Sequence, residues 1–195
     1  MGNANTGTKE RRMPKRIILV RHGESEGNVD KNVYATVPDH KVQLTKKGKE
    51  QAKKAGELIR GVVGNNNCKV YFYNTGFVES LWRDIDMDKI PHSANDNLNI
   101  VIISHGPTVG VLLVRFFRWT AEQVENLTSP KNAVVRIMEL GHEGEYTLAL
   151  YHDDQTLEKW GLSPEMIVDQ KQRAFGHKVD LDKCFFTSYF EKNNV

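Results

Sequence analysis

Residues 16–23 read Arg-Ile-Ile-Leu-Val-Arg-His-Gly, and the reading of this stretch decides the fold. Four apolar residues without polar alternation form a strand of the kind buried on both faces of a parallel sheet. The run ends in Arg21, His22 and Gly23. Residues 98–106 repeat the grammar as Leu-Asn-Ile-Val-Ile-Ile-Ser-His-Gly, and Pro107 follows where a helix's first turn tolerates it. In open parallel sheets, ligands bind outside the carboxyl ends of the strands. If the two strands are neighbours, His22 and His105 face one pocket.

The rest of the chain builds outward from these two strands. Residues 21–41 are polar and irregular, and Pro38 marks a loop. Gln43 to Arg60 reads as a helix with Thr45 as its N-cap. Gly48, Ala52, Ala55, Ile59 and Val62 form a narrow face of small residues on it. Lys69 to Tyr73 is a further strand, Asn74-Thr75-Gly76 a turn, and Phe77 to Ile85 a short helix with Glu79 on its solvated face. Val109 to Trp119 is apolar nearly all round and is expected to be a buried helix. Ala133–Leu140 and Tyr146–His152 read as two strands joined by a turn from Gly141 to Gly144. Ser163, Pro164 and Glu165 open a last helix. Strands alternating with helices imply an α/β fold, a three-layer α/β/α domain with a mostly parallel sheet. Residues 16–195 form a single domain, preceded by a basic, flexible arm at residues 1–15.

The chain has 195 residues, 39% of them hydrophobic and 27% charged, as expected of one globular domain. Residues 1–16 carry five basic side chains against Glu10, a surplus of four. The formal net charge is +2, so the remaining body stands at −2. A basic arm without interleaved aromatic residues does not describe a nucleic-acid-binding domain. Cys68 and Cys184 lie far apart and form no disulfide or metal pattern, which favours a reduced, intracellular setting. No apolar run is long enough to span a bilayer, and no signal peptide opens the sequence. The expected location is cytoplasmic. The first six residues, Met-Gly-Asn-Ala-Asn-Thr, fit the pattern for myristoylation of Gly2. An acyl chain beside a polybasic patch would give peripheral membrane contact. The same residues also fit a disordered tail that matches a loose pattern.

Arg21 offers a planar cation suited to phosphate oxygens, and the helix after Gly106 offers free N–H groups at its positive end. Neutral imidazole can attack through one nitrogen when a carbonyl holds its other N–H. Gly23 lets the backbone fold close to the ring. Together these residues suggest phosphoryl transfer through a phosphohistidine on His22, with Arg21 and His105 balancing charge. Such chemistry needs no cofactor. The partner is a small phosphorylated metabolite or phosphate itself. No spacing of histidines and carboxylates suggests a metal. No G-x-G-x-x-G, Walker or G-x-S-x-G motif is expected to compete. His40, His92, His142, His152 and His177 are expected to face solvent. Taken singly, a histidine at a strand end is more often structural, and it is the pair that carries the functional reading.

Arg21-His-Gly-Glu-Ser-Glu-Gly-Asn28, the helix from Leu44 to Gly56 and Ile103-Ser-His-Gly106 resemble, in order, segments of the histidine phosphatase superfamily. The resemblance is to its phosphoglycerate mutase-like branch, and residues 160–171 look most like the plant members. It implies that Arg21, Gly23, Asn28 and Gly106 bind phosphate, that His22 is phosphorylated and that His105 stabilises the transition state. It also exposes an absence. The family pattern carries a second phosphate-binding arginine after the strand equivalent to Lys69–Tyr73, then a long insertion holding the general acid. Here the chain passes through Asn74 to Gly76 directly into Phe77. Glu24, Glu26 and Asp39 are the carboxylates placed to substitute. The resemblance therefore implies a phosphatase or mutase with weakened turnover. A phosphate-binding module without turnover and a shortened gene product are the alternatives. Loss of an insertion would also leave apolar surface open to self-association.

Overall fold

A computed structural model describes residues 13–64 and 97–176, together with the backbone of residues 68–74. The turn expected after Asn74, the helix expected over Phe77–Ile85, His92, His177, Cys184 and the arm as far as residue 12 lie outside them. Strand β1, Arg16–Arg21, is central in the sheet. Its apolar run is buried on both faces, as the absence of alternation requires. A one-turn helix α1, Glu26–Val29, and two 3₁₀ turns, Lys31–Ala35 and Asp39–Lys41, occupy the segment expected to be irregular.

Helix α2, Lys46–Val63, starts where Thr45 Oγ1 accepts the Gly48 N–H at 3.0 Å. Strands β2, Cys68–Asn74, and β3, Asn97–Ser104, follow. Helix α3, Gly106–Phe117, and the single turn α4, Ala121–Val124, lead to β4, Val135–Leu140, and β5, Tyr146–Thr147. Helices α5, Asp154–Lys159, and α6, Pro164–Phe175, complete the described residues.

The sheet order is β2-β3-β1-β4-β5. Strands β2, β3 and β1 pair in parallel, whereas β4 runs antiparallel to both its neighbours. Four of the five strands thus point the same way, with β4 alone reversed. Helix α2 covers one face, where Ala55 packs with Ile18, Val20, Val101 and Ile137. Helices α3, α5 and α6 cover the other, where Val109, Leu112, Leu113, Leu157 and Met166 meet Ile17, Leu19 and Ile100. Each such fully buried side chain contributes about 1.5–3 kcal/mol. These layers make the α/β/α arrangement. No helix among the described residues is long and apolar enough to cross a membrane.

Four expectations are corrected. The second hairpin strand stops at Thr147, because Gln170 Oε1 rather than a strand partner accepts the Leu148 N–H at 2.9 Å. Helix α3 is not buried all round, since Val111 is 65% exposed and Pro107 and Arg115 share its open side. Ala52 is exposed, because Gly48 seats the first turn of α2 on the loop after β1 rather than on the sheet. The last residues of the supposedly flexible arm are pinned. The Lys15 N–H donates to Leu98 O at 2.8 Å, and Tyr146 Oη donates to Pro14 O at 2.5 Å.

Candidate active site

Strands β1 and β3 are neighbours in a register that pairs Arg21 with Ser104. The residues after them, His22 and His105, therefore leave the sheet side by side. The His22 N–H donates to Ser104 O at 2.9 Å, extending the ladder by one residue. The two imidazoles meet edge to face, with centroids 4.9 Å apart and planes at 77°. His22 Nδ1 lies 2.7 Å from Gly23 O and, as the donor to that carbonyl, leaves Nε2 with its lone pair free. Burial lowers the His22 pKa from its ordinary value of 6.5. The Gly23 carbonyl opposes this, His105 and Arg21 add to it, and Asp39 weakly opposes it. The ring is thus held neutral, as a nucleophile requires.

Arg21 points its Nη1 at Pro130 O, 2.7 Å away, while its buried Nε has no partner among the described residues. No bond to Nη2 occurs among the described residues, so the guanidinium keeps a donor for an anion. Helix α3 begins beside it with Gly106, and the N-cap residue His105 makes no side-chain capping bond. The opening N–H groups of the helix are left for a ligand. Asn28 is exposed at the rim, with its Oδ1 accepting from the Ser25 N–H at 3.0 Å and from Asn132 Nδ2 at 2.9 Å. Both bonds turn the oxygen away, so Nδ2 is the donor it can offer. Arg21, His22, Asn28, His105 and Gly106 are thus gathered at one end of the sheet.

The loop from Thr128 to Ala133 was missed by sequence reasoning, yet it forms a wall of this site. The Ala133 N–H donates to Arg21 O at 3.0 Å, and Asn132 Nδ2 also reaches His22 O at 3.2 Å. The available signal was strand direction. A strand antiparallel to β1 brings its leading loop, not its trailing one, to the carboxyl end of β1.

The three candidate acids fare differently. Glu24 binds the start of α2, accepting from Thr45 Oγ1 at 3.0 Å and Lys47 Nζ at 2.7 Å. The bond from Lys47, followed by that from Thr45, lowers its pKa. These contacts commit Glu24 to the start of α2 and favour its ionised form over that of a proton donor. Glu26 is exposed at the start of α1. Asp39, also exposed, is the member of the three whose charge is felt at His22. Gly23 serves the backbone: a Cβ there would collide with Gly48 O, so α2 could not approach. The expectation of no G-x-S-x-G motif is corrected, since Gly23-Glu-Ser-Glu-Gly27 has that spacing; Ser25 is nevertheless buried, 6% exposed, and not presented as an elbow nucleophile. His152 is corrected too. It is partly buried, with its Nε2 accepting the Ile137 N–H at 3.0 Å and its ring edge-on to Trp160. No cluster of metal-ligating side chains occurs among the described residues.

The family model for the histidine phosphatase superfamily (branch 1) matches residues 17–66. Phosphoglycerate mutase-like protein AT74 of Arabidopsis thaliana is 35% identical over a match that takes in 92% of this chain and 83% of that protein. Phosphoglycerate mutase-like protein AT74H of the same plant is 31% identical, with 96% of this chain and 97% of that protein covered. Among solved structures, a mycobacterial glucosyl-3-phosphoglycerate phosphatase matches 66% of this chain and 92% of its own, at 14% identity and a TM-score of 0.45. The AT74 match runs over 261 residues, whereas 92% of 195 is about 179, so about 80 of its positions face no residue here. That difference agrees with the absent insertion.

Proposed function

This chain belongs to the histidine phosphatase superfamily, among its phosphoglycerate mutase-like members, and we propose that it transfers phosphoryl groups through His22. The observation that carries the reading is the His22 ring, fixed on Gly23 O and set edge-on to His105, where burial favours its neutral form. Nε2 attacks the phosphorus of a small phosphomonoester. A P–N bond forms as the bond to the ester oxygen breaks, and that oxygen leaves with a proton. Arg21, His105, Asn28 and the Gly106 N–H balance charge on the moving group. Water then takes the phosphoryl group from His22, or the alcohol takes it back at another hydroxyl.

Proton supply is the weak point. Among the described residues, Glu24 is tied to Lys47, and Asp39 is the carboxylate whose charge reaches the ring. A positioned general acid contributes about 10²–10⁴-fold when the leaving group is an alkoxide. Nitrophenolate departs without that proton. Turnover should therefore favour nitrophenyl phosphate over glycerate or sugar phosphates by about two orders of magnitude or more. Equal kcat/KM on both would mean that Asp39, or another carboxyl group, acts as the acid. The second reading, a phosphate-binding module without turnover, draws on the commitment of Glu24 to α2. In that case phosphate binds and neither substrate is consumed.

A further inference from the structure

We propose that Ser129 is a phosphoryl-group ligand of this site, donating its hydroxyl hydrogen to a non-bridging oxygen beside Arg21. The inference rests on the phosphoryl-transfer reading and adds a residue to it. A Cβ added at Gly106 would collide with Ser129 Oγ and lie 3.6 Å from Arg21 Nη1. The hydroxyl therefore occupies the space opened by the missing side chain, against both the first residue of α3 and the guanidinium. Ser129 is exposed, and its hydroxyl makes no hydrogen bond among the described residues.

Its place is fixed from both sides. The Thr128 N–H donates to Trp160 O at 2.9 Å, and Thr128 O accepts from Arg136 Nη2 at 3.1 Å. Arg136 is itself buried, with its guanidinium carbon 4.5 Å from the Trp160 ring centroid. On the other side, Pro130 O holds Arg21. A free hydroxyl on a loop tethered this firmly is a preorganised donor, and its neighbours select an anion. Together with Arg21 it supplies a second direction of contact to the anion.

Titration calorimetry with inorganic phosphate, on the full chain, tests the assignment. Ser129→Ala should weaken phosphate binding about five- to tenfold, the scale of one hydrogen bond to a charged group at a partly solvated site. Ser129→Thr, which keeps the hydroxyl, should stay near the wild type. Ser129→Asp should bind more weakly than the alanine variant, because its carboxylate would face the anion. Unfolding midpoints of all three should match the wild type, since the side chain is exposed. Equal affinity in the wild type, Ala and Asp forms would overturn the role of Ser129 and leave the pocket intact. A wild type that binds no phosphate would overturn the pocket reading as well.

Discussion

His22 exchanges solvent on one side for the Gly23 carbonyl on the other, and the two changes act on its charge in opposite directions. Burial is the larger, so the folded pKa falls below 6.5, with His105 and Arg21 pushing the same way. A lowered pKa means that the ring stays neutral as pH falls past 6.5 and gains its proton only further down. Proton NMR of the His22 ring should give a midpoint below 6.5. His105→Ala should move that midpoint upward by removing one repelling group. A wild-type midpoint at or above 6.5 would contradict the geometry. At this scale the sequence was informative. Arg21-His22-Gly23 and Ser104-His105-Gly106 each end an apolar run, and residue type alone pointed to an anion site. What residue type could not show was how each side chain is occupied. Glu24 is adjacent to the site in sequence and is nonetheless spent on the Thr45 cap and Lys47.

Strand β4 shows where element-level reading falls short. Its apolar pattern identified it as a strand, but period-two alternation carries no direction, and its antiparallel pairing with β1 puts Asn132 and Ser129 at the site. Strand β5 failed for a related reason. Residues 146–152 have strand composition, yet the polar groups that end the strand, Gln170 and Thr147, meet only in the tertiary structure. Beyond β5 the free edge of β4 is closed by His152, which must be neutral for its Nε2 to accept the Ile137 N–H. Burial, then the nearby Arg136 charge, lowers its pKa from 6.5 to about 4. The unfolded chain thus binds this proton first, and stability present above pH 6.5 is lost as pH falls towards 4. The shift corresponds to about 3 kcal/mol at most. Denaturant unfolding between those pH values should show this loss, and His152→Gln should flatten it. An unchanged slope in the variant would contradict the assignment of His152 to the β4 edge.

For the whole molecule, the parallel core and the α/β/α layering followed from strand runs alternating with amphipathic helices. The missing segment did not, because strand, turn and helix are locally consistent across Asn74 to Phe77. It became visible only by resemblance, and relatives that carry about 80 further positions agree with it. Ile103 on β3 and Val111 on α3 are 40% and 65% exposed. The expectation of self-association is that the shorter chain leaves apolar surface of this kind open. Sedimentation velocity should show reversible association as concentration rises, and Val111→Lys should reduce it. A monomer across a broad concentration range would refute that expectation. The central claim is that the surviving half of the site still forms a covalent intermediate. Rapid quench after mixing with nitrophenyl phosphate, followed by peptide mass spectrometry under alkaline conditions, tests it most directly. Acid-labile phosphate should be found on His22 and vanish in His22→Ala. Nitrophenolate release with no phosphate on His22, or release undiminished in His22→Ala, would contradict it.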